Sequence, residues 1–317
     1  MDSRMKGMEL SSAYFEQYGR HLIDYQLPQY KEYMAAGLVG EGSECLGFDD
    51  EYSTDHDFGP AFCIWLPETI YRQVGAQVQQ AYDCMPRDYL GYRRVEMPQG
   101  AGRVGVMSIE SFYLKYIGMS HAPQDNMEWF RIPESFLAIA TNGKVFIDNY
   151  GQFSEIRAAL KSFYPADVVK KKLASRLALM GQSGQYNYPR SMRRGDCQAA
   201  FFACGEFVKN AMGALYLLNE TYMPYYKWVF KGAENFRILP ETVQMLRELT
   251  MICDAPENAA RKEQMIEAIS VSVGMELNRR GFTRTTDSFL VSHGEEIMRT
   301  IEDSRLRNMH IMHDITR

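Results

Sequence analysis

The sequence predicts a mixed α/β domain followed by an all-helical domain. Residues 1–150 alternate short apolar runs, typical of strands, with helical stretches, whereas residues 151–317 show helical periodicity without strand signals. The charge changes at the same place: the first part has 12 basic and 21 acidic residues, the second 23 and 19. An acidic domain suited to cations would then adjoin a basic domain suited to an anion, unless the asymmetry only reflects solvated helix faces.

Individual elements of residues 1–150 follow from local patterns. Strands are predicted over 35–39, 58–66, 104–107 and 144–147, and helices over 9–33, broken near Pro28, and from Pro67 to about Tyr82. Asn142 and Gly143 lie between apolar segments and predict a hairpin-type turn.

Residues 151–317 are predicted to form a helical bundle. Helices are expected over 155–163, 167–180, 196–218, 241–252, 262–278 and 287–302. One apolar face of the third recurs at helical spacing and predicts buried positions: Phe201, Cys204, Val208, Ala211, Leu215 and Leu218.

Composition restricts the protein class. The longest apolar run, 61–66, is far shorter than the roughly 20 residues that a membrane span needs, and no secretory h-region follows the N-terminus. The 6 cysteines form no CxxC pair, which predicts free, buried thiols and a cytoplasmic location.

The residues that suggest chemistry lie between positions 40 and 60. Gly42 and Ser43 follow a predicted strand, where backbone N–H groups and a hydroxyl can bind an anion. Asp55 and Asp57 are two residues apart, so on a strand both carboxylates share one face and His56 points to the other. Such a pair should share a proton or bind a cation, and Mg²⁺ prefers these ligands. The alternative is a solvated, Asp-rich loop.

The spacing and the residue identities of this segment resemble those of known protein families. Gly42 and Ser43, eleven further residues and then Asp55-His56-Asp57 resemble the signature of the DNA polymerase beta-like nucleotidyltransferase superfamily. The longer wording, GEGSEC followed by DHDFGP, is similar to a bacterial family described only as a domain of unknown function. Further similar segments are 141–148, 163–165, 182–187 and 225–228.

This resemblance implies a fold and a reaction. The fold is a nucleotidyltransferase domain with a mixed sheet over residues 1–150, followed by an all-α domain over 151–317. Gly42 and Ser43 would bind the phosphates of ATP or another nucleoside triphosphate, and Asp55 and Asp57 would bind Mg²⁺. A hydroxyl of a small molecule would then attack the α-phosphate and expel pyrophosphate, chemistry that needs positioning and charge neutralisation.

Some expected site residues are less well defined by the resemblance. Many superfamily members carry a third carboxylate on a later strand, whereas residues 103–108 here contain none. Glu110, just beyond, is the candidate catalytic base, with Asp148 as the other option. The basic residues Arg190, Arg193, Arg194 and Lys227 are candidates for binding the nucleotide, or else solvated surface residues.

Two alternative functions stay open. The acceptor could be a protein or an RNA end, although the net charge of −5 and the lack of a long basic stripe disfavour nucleic acid. The protein could instead be a catalytically silent nucleotide-binding module, which the missing third carboxylate favours.

Overall fold

The computed structural model describes residues 5–54, 58–94 and 102–314. The chain packs into two compact units. Met1–Pro123 and Phe136–Ser162 form one, here called the sheet unit, and Gln124–Ser135 and Phe163–Arg317 form the other, the helical unit. The sequence-based division places one boundary at residue 150. In the structure, residues 124–135 pack with the helical unit and residues 151–162 pack with the sheet unit.

Strands occupy a small part of the described chain. They are β1 Ala35–Leu38, β2 Cys63–Leu66, β3 Asp88–Tyr89, β4 Tyr92–Arg93, β5 Gly105–Ser108 and β6 Lys144–Asp148. A four-stranded mixed sheet has the order β5-β2-β1-β6, and β3 pairs with β4. Strand β1 is antiparallel to β2 and β6, whereas β2 is parallel to β5.

Helices make up most of the rest. They are α1 Gly7–Tyr14, α2 Ser43–Leu46, α3 Glu68–Asp83, α4 Ile109–Ile117, α5 Asn126–Arg131, α6 Glu134–Thr141, α7 Gln152–Lys161, α8 Ala166–Met180, α9 Tyr188–Arg193, α10 Cys197–Leu218, α11 Val229–Gly232, α12 Pro240–Met251, α13 Ala259–Arg279, α14 Leu290–Arg299 and α15 Ser304–Arg307. Segments Phe15–Gly19, Leu22–Gln26 and Gly181–Asn187 are π-helical, and Pro28–Tyr33, Glu51–Thr54, Tyr226–Trp228 and Pro256–Asn258 are 3₁₀-helical.

Both faces of the central strand β2 are buried, because alternate residues of a strand point to opposite faces. Ile64 and Leu66 pack into a core with Phe15 of the first π-helical segment. On the other face the ring of Trp65 stacks on Phe153 of α7, with centroids 4.0 Å apart. This double burial explains why the segment reads as a continuous apolar run.

The strand predicted over 58–66 is shorter in the structure and begins at Cys63. Gly59 adopts a φ of +139°, which favours glycine, and Pro60 has no N–H to donate to a ladder. The chain therefore enters the sheet only after these two residues.

The hairpin predicted at Asn142 and Gly143 is wrong. Helix α6 precedes this pair and β6 follows it, with Gly143 at a φ of +64°. Glycine in the left-handed region just after a helix is a common way to end it. The same dipeptide thus terminates a helix rather than connecting two strands.

All six helices predicted after residue 151 are confirmed, with ends that differ by no more than three residues. Phe201 is the exception on the apolar face of α10, since 62% of it is exposed. All six cysteines are free thiols, but only three are buried as expected, since Cys197 is half-buried and Cys84 and Cys253 are exposed. No helix within the described residues is both long and apolar enough to cross a membrane.

A buried charged cluster holds the C-terminal segment of the helical unit against α8. Lys171 Nζ donates hydrogen bonds to the carbonyl oxygens of His310, Ile311 and His313 at 3.2, 3.0 and 2.6 Å. Lys172 and Arg176, also fully buried, form ion pairs with Glu134 and Asp314. Removing one partner of a buried pair leaves an uncompensated charge, so single substitutions in this cluster should destabilise the helical unit.

We predict a pH-dependent stability for the Lys171 contact. Burial lowers the pKa of Lys171 from 10.5 to about 8. Between these two pKa values, Lys171 keeps its proton in the unfolded chain but has lost it in the folded protein. The free energy of unfolding of the wild type therefore increases as the pH rises. Relative to Lys171→Met, the wild type should gain about 1 to 2 kcal/mol between pH 7.5 and 9.5 in urea unfolding.

The exposed Lys161→Met substitution in α7 is the control for this measurement. Its unfolding free energy should follow the wild type across the same pH range. A constant difference between wild type and Lys171→Met at all pH values would show that the pKa of Lys171 is not lowered by folding.

Candidate functional site

A glycine-rich turn joins β1 to α2 at one end of the sheet. Gly40 and Gly42 have φ values of +134° and +127°, which side chains with a Cβ rarely adopt. Ser43, half-buried, is the first residue of α2. The Gly-Ser pattern of the sequence therefore corresponds to a real turn at the carboxyl end of a buried strand, here called the glycine turn (residues 40–43).

The side-chain amide of Asn142 holds the glycine turn in place. Asn142 Oδ1 accepts a hydrogen bond from the Gly40 N–H at 3.0 Å, and Asn142 Nδ2 donates to the Gly40 carbonyl at 2.8 Å. Next to it, the Gly143 N–H donates to the Cys45 carbonyl of α2 at 2.7 Å. Both sides of the turn are thus tied to the segment between α6 and β6.

Arg157 of α7 in turn holds the backbone of the segment between α6 and β6 through hydrogen bonds. Arg157 is 7% exposed, and its guanidinium donates to the carbonyl oxygens of Ala140, Asn142 and Gly143 at 3.1, 2.6 and 3.1 Å. Burial lowers the pKa of this guanidinium from its usual range, although arginine stays charged. The hydrogen bonds to three carbonyl oxygens offset the cost of burying the charge.

Sheet topology brings further charged groups to the glycine turn. Because β1 is antiparallel to β2 and β2 is parallel to β5, the carboxyl end of β1 lies beside the amino ends of β2 and β5. Arg103, two residues before β5, donates from Nη2 to the Glu41 carbonyl at 2.8 Å and lies 3.8 Å from Glu44 Oε1. Lys115 Nζ lies 3.1 Å from Glu41 Oε1.

Sequence reasoning missed Arg103 and Lys115 as neighbours of the turn. They are more than 60 positions away along the chain, and no motif marks them. Only the parallel pairing of β2 with β5 could have indicated Arg103, because it places the residues before β5 beside the turn.

Glu110, the candidate base, lies at the other end of the sheet. It follows the carboxyl end of β5, whereas the glycine turn lies at the amino end. Its Oε2 accepts the N–H of Glu68 at 2.8 Å, at the start of α3, and its Oε1 accepts from Gln152 Nε2 at 3.3 Å. The structure therefore does not bring Glu110 to the turn, and its carboxylate caps a helix instead.

Asp148, the other option, has a similar structural role. Its two carboxylate oxygens accept the N–H groups of Gly151 and Ser154 at 2.8 and 2.7 Å, at the start of α7. It also lies at the carboxyl end of its strand β6, where β6 pairs with the first residue of β1. A helix-capping carboxylate with both oxygens engaged is a poor candidate for a base.

Asp55 and Asp57, the candidate metal ligands, lie outside the described residues, as does His56. Within residues 5–54, 58–94 and 102–314, no group of three or more His, Cys, Asp or Glu side chains is placed to hold a metal ion. The Mg²⁺ site predicted at Asp55 and Asp57 therefore stays a prediction.

Basic candidates of the second domain lie in the helical unit. Arg190 and Arg194, at the end of α9, are exposed, and the Arg190 guanidinium lies 4.6 Å from the ring centre of Tyr186. Lys227 is exposed, with its Nζ 5.1 Å from the Trp228 ring centre. Because these cations are exposed, an anionic ligand could contact them, and the neighbouring aromatic ring would then lie close to that ligand.

Comparison with known families gives one match. Residues 129–229 match a family model described as a domain of unknown function (DUF4037). This supports the part of the resemblance that points to a family of unknown function. The matched span contains Asn142 and Arg157 but not the glycine turn. No curated protein matches the chain.

We predict that Asn142→Ala loosens the glycine turn. The substitution removes both hydrogen bonds to Gly40 and leaves its partly buried N–H and carbonyl without these partners, which should cost about 1 to 3 kcal/mol in urea unfolding. Hydrogen exchange at the Gly40 amide should also accelerate.

Asn149→Ala is the matched control, since Asn149 is exposed and its side chain donates one hydrogen bond, to the Lys31 carbonyl at 2.8 Å. It should change stability by less than about 0.5 kcal/mol. Equal effects of the two substitutions would contradict the anchoring role of Asn142.

Proposed function

We propose that the protein is a Mg²⁺-dependent nucleotidyltransferase that moves AMP from ATP to a hydroxyl of a small molecule and releases pyrophosphate. The observation that carries this proposal is the anchored glycine turn at the carboxyl end of β1, beside the amino end of β2. Asp55 and Asp57 precede β2 in the chain. The Gly-Ser and Asp-x-Asp pattern of the resemblance therefore agrees with a sheet in which these two strand ends are neighbours.

Each proposed role follows from the chemistry of the residue. The backbone of Gly42 and the hydroxyl of Ser43 bind the nucleotide phosphates, because a glycine allows close approach and a hydroxyl can donate to oxygen. Asp55 and Asp57 hold the metal. When bound, Mg²⁺ neutralises charge on the phosphates and aligns the attack.

Basic residues of the helical unit keep their predicted role as candidates for binding an anionic ligand within that unit. Arg190, Arg194 and Lys227 are exposed and so can reach an anion, and arginine suits bidentate contact with phosphate. Glu110 receives no role as base, because its carboxylate caps α3 at the other end of the sheet. A hydroxyl acceptor would then lose its proton to another group or to water.

A silent nucleotide-binding module is the second candidate, and a specific observation favours it. In many superfamily members a later strand adds a third carboxylate, whereas the described residues that lead into β5 contribute Arg103 to the turn. An arginine there can bind phosphate but cannot serve as a metal ligand. A protein or RNA acceptor remains an alternative within the same chemistry.

We predict that Asp57→Ala and Asp55→Ala each lower pyrophosphate release by at least about 100-fold, the typical loss when one group that stabilises transition-state charge is removed. The assay supplies labelled ATP, Mg²⁺ and a fractionated metabolite pool. A labelled small-molecule product identifies the acceptor, whereas a labelled macromolecule would indicate a protein or RNA end.

Asp83→Asn serves as the control, because Asp83 is an exposed acid at the end of α3 that pairs with Gln79. Its activity should equal that of the wild type. Pyrophosphate release that persists in both aspartate variants would refute the proposed metal site. ATP binding without turnover, whatever the acceptor, would favour the silent module.

A further inference from the structure

Gly205, in the middle of α10, is a glycine that neither backbone geometry nor packing within the helical unit requires. It is helical, and beyond its neighbours along the helix no heavy atom lies within 4 Å of where its Cβ would be. Glycine is the least favourable residue inside a helix apart from proline. By contrast, a Cβ at Gly213 of the same helix would lie 2.8 Å from Arg176 Nε, so close packing requires that glycine. Gly205 therefore keeps a space open at the surface of α10.

That space is part of a pocket of about 640 Å³ within the helical unit. The pocket is lined by residues of α10, by the end of α12 with the residues that follow it, and by Lys262 of α13. Sites that hold small molecules have volumes of about 300 to 1,000 Å³ and mostly apolar walls. This pocket is therefore large enough for a small molecule, and Gly205 lets such a molecule approach the backbone of α10.

The side chains at the pocket favour an aromatic occupant. Phe201 and Phe202 are 62% and 73% exposed, with ring centroids 5.7 Å apart, and Met251 is 86% exposed. Sulfur is abundant as well, since three of the cysteines line the pocket: Cys197, Cys204 and Cys253. Aromatic rings and sulfur atoms both make favourable contacts with a further aromatic ring. Exposed apolar side chains grouped in this way are typical of a binding site.

Charge at the pocket is balanced. Among the described residues that line it, Lys262 and Asp254 are the charged ones, and their side chains are largely buried. Lys262 Nζ lies 2.5 Å from Asp254 Oδ1 and also donates to the Ile252 carbonyl at 3.1 Å. Because these two charges are paired with each other, an ionised ligand would lose water in the pocket without gaining a counter-charge. The lining therefore favours an uncharged occupant.

We propose that this pocket of the helical unit is a binding site for an uncharged aromatic small molecule, whose ring lies against the backbone of α10 at Gly205. Contact with Phe201, Phe202 and Met251 supplies the apolar surface against which the ligand is buried. The inference is independent of the proposed nucleotidyltransferase function, because none of the residues that carry it belongs to the glycine turn or to the candidate metal ligands.

The test measures binding of N-phenyl-1-naphthylamine, an uncharged fluorescent aromatic compound, to the full chain and to Gly205→Leu. The leucine side chain would occupy the space that the ring needs and should weaken binding at least about 10-fold. Because leucine is a better helix former than glycine, the melting temperature should stay unchanged or rise. Ala158→Leu, at an exposed position of α7, is the matched control and should bind the probe as the wild type does.

Two exposed thiols show where the probe binds. Cys253 lines the pocket, whereas Cys84 directly follows α3 in the sheet unit. At a probe concentration about ten times its dissociation constant, modification of Cys253 by iodoacetamide should slow about 10-fold by mass action, and modification of Cys84 should not change. This measurement needs no substitution, so it decides the inference even if Gly205→Leu does not fold.

A charged analogue tests the proposed class of ligand. Anilinonaphthalene sulfonate has the same ring system with one negative charge, and we expect it to bind at least about 10-fold more weakly, because its charge must be desolvated. Equal or tighter binding of the sulfonate would contradict the inference. It would show that exposed basic residues near the pocket in sequence, Arg194 and Arg261, select an anion instead.

Three further results would overturn the inference: no binding of N-phenyl-1-naphthylamine, unchanged affinity in folded Gly205→Leu, or unprotected Cys253 in the presence of the probe. A dimer that protects Cys253 without any probe, detected by light scattering, would assign the pocket to a second copy of the chain and overturn the inference as well.

Discussion

The pairing of one side-chain amide with the backbone N–H and carbonyl of one residue is the constraint on which the candidate site depends. A turn with two glycines at positive φ has high conformational freedom when unfolded and contributes no side-chain packing of its own. Asn142 compensates by bonding both the N–H and the carbonyl of Gly40. Arg157 then holds the backbone of Asn142 through a buried guanidinium. The geometry of the turn is therefore imposed by α7, more than 100 residues further along the chain.

Charged groups serve two different purposes in the two units. In the helical unit, Lys171 and Arg176 are fully buried. Lys171 donates to carbonyl oxygens and Arg176 pairs with a carboxylate, so that removing these contacts would leave buried charges without partners. In the sheet unit, the Lys115–Glu41 pair is exposed, with a contact of 3.1 Å, whereas Arg103 and Glu44 are largely buried and lie 3.8 Å apart. An exposed pair such as Lys115–Glu41 contributes little to stability.

Two residues within the family match contact the glycine turn or its anchor. The matched residues 129–229 supply Asn142 and Arg157, which position the turn, while Gly42 and Ser43 lie outside this span. The function of the site would therefore need both parts of the chain. The same reasoning explains why segment 141–148 stands out in the sequence although it carries no obvious catalytic group.

Local chemistry was sufficient to predict most helices, the strand at Ala35 and the glycine turn, because helical periodicity and the need for positive φ are properties of neighbouring residues. The predictions of a strand before Cys63 and of a hairpin at Asn142 were wrong. Gly59 and Gly143 both adopt a positive φ, and whether such a residue ends a helix, delays a strand or forms a hairpin depends on the structure around it. The positions of Arg103 and Glu110 were decided only by tertiary structure. The parallel pairing of β2 with β5 decides the end of the sheet at which each residue lies. The relative direction of two strands cannot be read from the residues of either strand.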